Sequence, residues 1–222
     1  MGFSQRILWL LSLTVGLAAA VVPASGERIR WSGAALTETS LVVGRRNIDS
    51  GAWYGIADPL QVGVILAGRA WARPIEGVVS YHQAQGSHAS QELVQDGLFP
   101  RMMEVDVDLV VREFAAGLRY GVEWRGLHGT LGGGGCWVMT DVRRRSTSSL
   151  SQIVGTQGRS GTTQDEQSGQ GPGIWAAASL ALQFQRSAVG IHLRETLAST
   201  AMADGHRPAG GFQMGALVSM RW

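Results

Sequence analysis

The sequence predicts an all-β protein, an eight-stranded antiparallel up-and-down transmembrane β-barrel preceded by a cleavable signal peptide. Three observations carry that expectation. The chain ends on a period-two pattern, with Met214, Ala216, Val218, Met220 and Trp222 apolar on one face. The opposite face holds Gln213, Gly215, Ser219 and Arg221, with Leu217 the one apolar member. At the other end, Arg6 precedes an apolar run over 7–22 that gives way to small residues, with cleavage expected after Ala20, Ala24 or Gly26. Between them, eight alternating segments are separated by gaps that are alternately short and long.

The leader run is shorter than the roughly 20 residues a spanning helix needs, and no other segment approaches that length. This assigns 1–26 to the signal peptide and 27–222 to one barrel domain. A closed barrel is the other fold that satisfies every backbone polar group in lipid. The competing reading is a soluble periplasmic β-domain.

The segments follow in order. Residues 38–47 place Leu41 and Val43 outward, and 60–69 place Leu60, Val62, Val64 and Leu66 outward. Residues 75–83 set Ile75, Val79 and Tyr81 against Glu76, Ser80 and His82. The longest segment, 103–124, has Met103, Val105, Val107, Leu109 and Val111 outward, then Phe114, Ala116, Leu118, Tyr120, Val122 and Trp124. Its parity slips near Arg112–Glu113, which predicts a β-bulge in one strand or a turn between two. The bulge keeps the strand count even and is the favoured reading, one long strand whose upper half stands above the bilayer, since a span needs only about 9–11 residues. Residues 127–142 form the fifth strand, 174–185 the sixth, 188–199 the seventh and 213–222 the eighth.

Short gaps lie at 70–74, 125–126 and 186–187, and long ones at 48–59, 84–102, 143–173 and 200–211. In outer-membrane barrels periplasmic turns are short and extracellular loops long. An even count then leaves both termini on the periplasmic side, with the last strand pairing the first near Leu41. The stretch 143–173, rich in Ser, Thr, Gln and Gly, is expected to be a mobile loop. Trp71, Trp124, Phe184 and Trp222 are expected in a periplasmic aromatic girdle, and Tyr81, Trp175 and Phe212 in an outer one.

By parity the inward face carries a lumen charge network of Glu76, Arg112, Glu113, Arg119, Glu123, Arg194 and Arg221, with Arg69, Glu104, Asp106 and Asp108 in the same phase. A barrel of this size is filled by its side chains, and charges inside it must pair. The three acidic residues 104, 106 and 108 read as a solvated strand face, with a cation vestibule or a Ca²⁺ site as alternatives. Glu195 falls on the lipid-facing set and must sit high on its strand, or follow a bulge.

Other chemistry finds little support. The 19 basic residues are all arginine and face 17 acidic ones, so charge gives no argument for nucleic acid. The single cysteine, Cys136, has no partner for an internal disulfide. The five histidines lack metal-ligand spacing. The glycine run 132–135 is followed by no Lys-Ser/Thr and is no phosphate loop. No cofactor or metal is expected.

The signal peptide, the glycine-rich run Leu127-His128-Gly129-Thr130-Leu131-Gly132-Gly133-Gly134-Gly135, the run Gly190-Ile191-His192-Leu193-Arg194-Glu195 and the strand ending at Trp222 together resemble the eight-stranded outer-membrane β-barrel superfamily, which includes the OmpA-type transmembrane domain and opacity-type surface proteins. The resemblance implies the outer membrane of a Gram-negative bacterium. It also implies contact with outer-membrane lipids including lipopolysaccharide, and folding by the outer-membrane assembly machinery. That machinery reads the terminal strand, here Met214, Val218, Met220 and Trp222, where Trp222 replaces the usual phenylalanine. Fold alone does not give function. The expected role is non-enzymatic, a surface barrel with a salt-bridge-plugged lumen and loops that meet external ligands. The alternatives are a small ion-conducting, porin-like channel and a lipid A-modifying enzyme. For the latter, His88-Ala89-Ser90 resembles the His-x-Ser of lipid A deacylases, but Gln91 stands where that family has asparagine, and no acidic partner stands out.

Overall fold

The computed structural model describes residues 30–31, 34–69, 75–96, 99–149 and 161–222. The expected signal peptide and Trp71 lie outside them. Period-two alternation becomes ten strands: β1 (Arg30–Trp31), β2 (Ala34–Asn47), β3 (Leu60–Arg69), β4 (Ile75–Asp96), β5 (Phe99–Trp124), β6 (Leu127–Ser149), β7 (Gly161–Phe184), β8 (Ser187–Met202), β9 (Gly205–Pro208) and β10 (Gly211–Arg221). Eight of these, β2 to β8 and β10, form a closed ring of antiparallel neighbours. The seam is β10 on β2, with Val218 opposite Leu41 and Met220 opposite Thr39, as the terminal pattern predicts. Trp222 N–H donates to Thr37 O at 3.0 Å and fixes the last residue beside the first barrel strand. Among the described residues no helix is long and apolar enough to cross a membrane.

Two tight turns, at 125–126 and 185–186, define one end of the barrel, and both described termini lie there. Positive φ at Arg125 (49°), Gly126 (81°) and Gln185 (53°) supplies the backbone twist that two-residue hairpins require. The glycine run of β6 has a packing cause. A Cβ on Gly134 would stand 2.2 Å from Ala116 O, so bulk there would push β5 and β6 apart.

The opposite, loop end differs from the sequence reading in two ways. The expected loops 84–102 and 143–173 are largely strand: β4 runs on to Asp96 and β5 starts at Phe99, while β6 reaches Ser149 and β7 starts at Gly161. Polar cross-strand ladders suffice for this, since Ser, Thr and Gln pair readily on a solvated sheet. The second correction concerns β5. It is one long strand, as favoured, in continuous register with both neighbours from 102 to 120, but it carries no bulge at Arg112–Glu113. What changes there is composition. Val105, Val107, Leu109 and Val111 point inward and are buried, in phase with Glu113, Ala115 and Arg119. Glu104, Asp106, Asp108 and Arg112 therefore point outward, against the expectation that placed them in the lumen.

Candidate functional site: the barrel interior

Three layers of inward side chains fill the barrel. The lowest, at the turn end, centres on Arg119, whose Nη2 donates to Glu38 Oε2 at 2.7 Å and whose Nε donates to Glu76 Oε2 at 2.8 Å. Thr37 and Ser40 hydroxyls donate to the same two carboxylates, each at 2.8 Å. Arg221 joins from the terminal strand, pairing with Glu123 at the rim and reaching Glu38 at 3.4 Å. His128 Nε2 accepts from Arg221 at 3.4 Å.

The middle layer is more deeply buried. Glu113, 0% exposed, receives Arg46 Nη1 at 3.0 Å and Arg194 Nη2. The Thr196 hydroxyl (3.2 Å) and Gln213 Nε2 (3.4 Å) also donate to that carboxylate. Arg46 Nη2 reaches Ala209 O at 2.9 Å, and Arg194 Nη1 reaches Ser80 Oγ at 3.3 Å. Gln61 Nε2 donates to Gln213 and to His82 Nδ1, so the His82 ring carries its proton on Nε2. Gly63 makes this possible, because a Cβ there would sit 2.2 Å from His82 Nδ1. The indole of Trp175 lies 4.4 Å beneath the Arg194 guanidinium, and its N–H donates to Gly135 O at 3.1 Å.

The top layer is apolar. Ile48, Trp53 and Ile56, from the connection 48–59, pack with Ala209 onto Val105, Val107, Leu109, Val111, Val138 and Val142. That connection is a structured lid: Asp49 Oδ1 accepts from Gly51 N–H at 3.0 Å, and Gly55 N–H donates to Ser50 O at 2.8 Å. Trp53, 1% exposed, donates its indole N–H to Pro208 O at 2.7 Å. Arg207 clamps the lid by donating to Ala52 O and to the Tyr54 hydroxyl, each at 2.9 Å, with its guanidinium stacked over Tyr54. The hydrogen bond to Asp204 holds the Arg207 pKa above its ordinary value.

Of the expected charge network, Glu76, Glu113, Arg119, Glu123, Arg194 and Arg221 do face inward and engage in these layers. Arg112 does not: it pairs with Asp141 on the outer wall, where both side chains meet solvent. Glu38, Arg46, Gln61, His82, His192 and Gln213 complete the interior. The alternation that exposes Leu41 and Val43 puts Glu38 and Arg46 inward, and that signal was available. Trp175, expected in an outer girdle, points inward, because its neighbour Ile174 takes the exposed face. Glu195 is outward and exposed, opposite Phe212, the first outward residue of β10, and so near the loop end as expected. His88 and Ser90 lie on β4 rather than in a loop, with the His88 ring against Gly55 of the lid.

The outer wall has its own order. Phe114, Leu118, Tyr120, Val122 and Trp124 are exposed on β5, and Ile174, Leu180, Leu182 and Phe184 on β7. Val189, Ile191, Met214, Val218 and Met220 continue the belt round to the seam. Tyr81, Phe114 and Trp137 form one cross-strand row at its upper edge, and Tyr81 and Phe114 are in ring contact at 4.8 Å. Residues 114–124 rise about 25 Å at roughly 3.3 Å per residue and ~40° tilt.

No family model matches the chain, and no curated protein matches it. Among solved structures, Neisserial surface protein A (NspA) aligns at 9% identity with a TM-score of 0.46, over 84% of this chain and 96% of that one. A major outer membrane protein from Thermus thermophilus aligns at 7% identity and 0.48, over 84% and 98%. Ail, the attachment invasion locus protein of Yersinia pestis, solved with the heparin analogue sucrose octasulfate, aligns at 10% identity and 0.33, over 84% and 96%.

Proposed function

We propose that this protein is a bacterial outer-membrane β-barrel with a plugged lumen, anchoring a solvated strand platform that meets ligands outside the cell. One observation carries the reading. The outer wall is an apolar belt about as tall as a bilayer core, while the interior at the same height is ion-paired. A water-soluble barrel has the reverse arrangement, because apolar surface is driven away from water. Above the belt the outer wall turns polar, and Asp106 and Asp108 stand opposite Arg145 and Arg143. This mixed-charge face is the surface we assign to external ligands and to lipopolysaccharide head groups.

The lumen is closed by the three layers, so the barrel is an anchor and not a conduit. Planar-bilayer recording tests this: the reading expects no persistent current steps from purified protein, and stepwise conductance would overturn it in favour of a small channel. We assign no catalytic role to His88 and Ser90, which lie on β4 with the His88 ring against Gly55 of the lid. Ser90→Ala is expected to leave lipid A acylation unchanged by mass analysis, and an altered pattern would restore the enzyme reading.

A further inference from the structure

The wall formed by β8, β10 and β2 carries two charges that the plugged barrel does not use. Glu195 on β8 and Arg45 on β2 are outward and exposed, and neither has an ion-pair partner among the described residues. Between them runs β10, with Phe212 opposite both Glu195 and Asn47, and Met214 opposite Arg45. Two inter-strand steps and one pleat along the strand put the two backbones roughly 12 Å apart.

Their height follows from the register. Rows of paired residues tilt against the barrel axis: the row leaving Phe114 through Tyr81 returns to β5 at Trp124 after a full circuit. In the other direction, the row through Ala115, Cys136 and Gly173 reaches β8 at Ala198. On the way it climbs by roughly four residues. Glu195 therefore stands about level with Phe114, and by the same tilt so does Arg45. Both charges lie where the apolar belt ends.

A groove opens beside and above them. Ala209 and Gly210 N–H both donate to Ala198 O, at 2.9 and 3.2 Å, a bulge that parts β9 from β10. Gly210 and Gly211 leave the floor bare. A Cβ on Gly210 would stand 2.1 Å from Thr196 O, and one on Gly211 2.1 Å from Asn47 O. The open space is about 490 Å³, and Asn47, Asp49, Glu195, Leu197, Pro208 and Phe212 are among the residues that line it. Asp49 and Glu195 supply its charge, and no basic residue lines it.

Charge complementarity names the occupant. A head group of phosphate alone is repelled by both carboxylates. One that joins an ammonium to a phosphate by a short link answers Glu195 and Arg45 together. The carboxylates accept hydrogen bonds, which a primary ammonium supplies and a fully methylated one does not. Below the groove the belt continues through the exposed side chains of Phe212 and Met214.

We propose that this groove holds one outer-leaflet phospholipid of the phosphatidylethanolamine class. Its ammonium rests on Glu195 and Asp49, its phosphate on Arg45 and its acyl chains on Phe212 and Met214. The inference rests on the outer-membrane reading and adds to it a lipid class and a place.

Native mass spectrometry tests the lipid class. Full mature chain folded in non-ionic detergent would be mixed with equal amounts of dioleoyl phosphatidylethanolamine, phosphatidylcholine and phosphatidylglycerol. A single ethanolamine-lipid adduct should exceed each of the others several-fold. Equal adducts of all three would overturn the proposal. A phosphatidylglycerol adduct that needs Ca²⁺ would overturn it in favour of a cation-bridged anionic lipid. Glu195→Gln should lower the ethanolamine adduct to the choline level, while Arg45→Gln should weaken both and keep their ratio. An ethanolamine preference that survives Glu195→Gln would contradict the assignment. Both residues are exposed, so the variants should keep the barrel, which boiled and unboiled gel migration reports. Insertion into phosphatidylcholine vesicles separates the two readings. A chain that does not insert sinks the outer-membrane reading, whereas one that inserts but shows no lipid preference sinks this inference alone.

Discussion

The lower and upper halves of β5 share one backbone, one register and one pair of neighbours, yet their two faces exchange character. From Glu113 to Trp124 the outward side chains are apolar and the inward ones include Glu113 and Arg119. From Glu104 to Arg112 the outward ones are charged apart from Val110, and the inward ones are Val105, Val107, Leu109 and Val111. Parity is unchanged, and the character of the two faces is not. On the proposed membrane reading, the outside medium below the Phe114 row is lipid and the polar groups turn in to pair. On the same reading the medium above it is water, and an apolar core forms under the Trp53 lid. The chain would then record the height at which lipid ends.

The largest effect is expected where a charge loses its partner in the lower region. Glu113→Gln leaves Arg46 and Arg194 buried without a carboxylate and should cost about 3–5 kcal/mol, measured by urea unfolding in lipid vesicles. Leu180→Arg, near the middle of the belt, should cost about 2–4 kcal/mol by the same assay. In the upper region the sensitive face is the inner one. Leu109→Ala removes packing beneath the lid and should cost about 2–3 kcal/mol, the low end for a buried leucine because the lid has room to settle. The smallest effect belongs to the upper outer face: Asp106→Ser should stay within about 0.5 kcal/mol. A large loss at Asp106, or a tolerated Leu180→Arg, would break the distinction between the two regions.

Much of the fold was legible because membrane barrels write alternation directly into the chain. The eight strands, the tight turn at 125–126, the one at 185–186 (one residue from its expected place) and the seam through Val218 all follow from period two. Two things were hidden. Alternation reports which residues share a face but not which medium that face meets, so the change at Arg112–Glu113 read as a slip in parity when it is an exchange of character between two faces in unbroken register. That single ambiguity sent Arg112, Glu104, Asp106 and Asp108 to the wrong side. The strand extensions were hidden for a related reason: the polar stretches of β4, β6 and β7 look like loops when an apolar face is taken as the mark of a strand. Most of the interior network was legible, since Glu76, Glu113, Arg119 and Arg194 follow from parity. The hydrogen bond between Gln61 and His82 was not, because partner atoms are a property of three-dimensional packing.

The central claim is that lipid ends at the Phe114 row, and spin-label accessibility along the outward face of β5 tests it most directly. In a Cys136→Ser background, labels placed singly at 104, 106, 108, 114, 116, 118, 120 and 122 would be read in vesicles with oxygen and a water-soluble nickel complex. The account predicts nickel-accessible labels at 104–108 and oxygen-accessible, nickel-protected labels at 114–122. A profile without a reversal between 108 and 114 would contradict it.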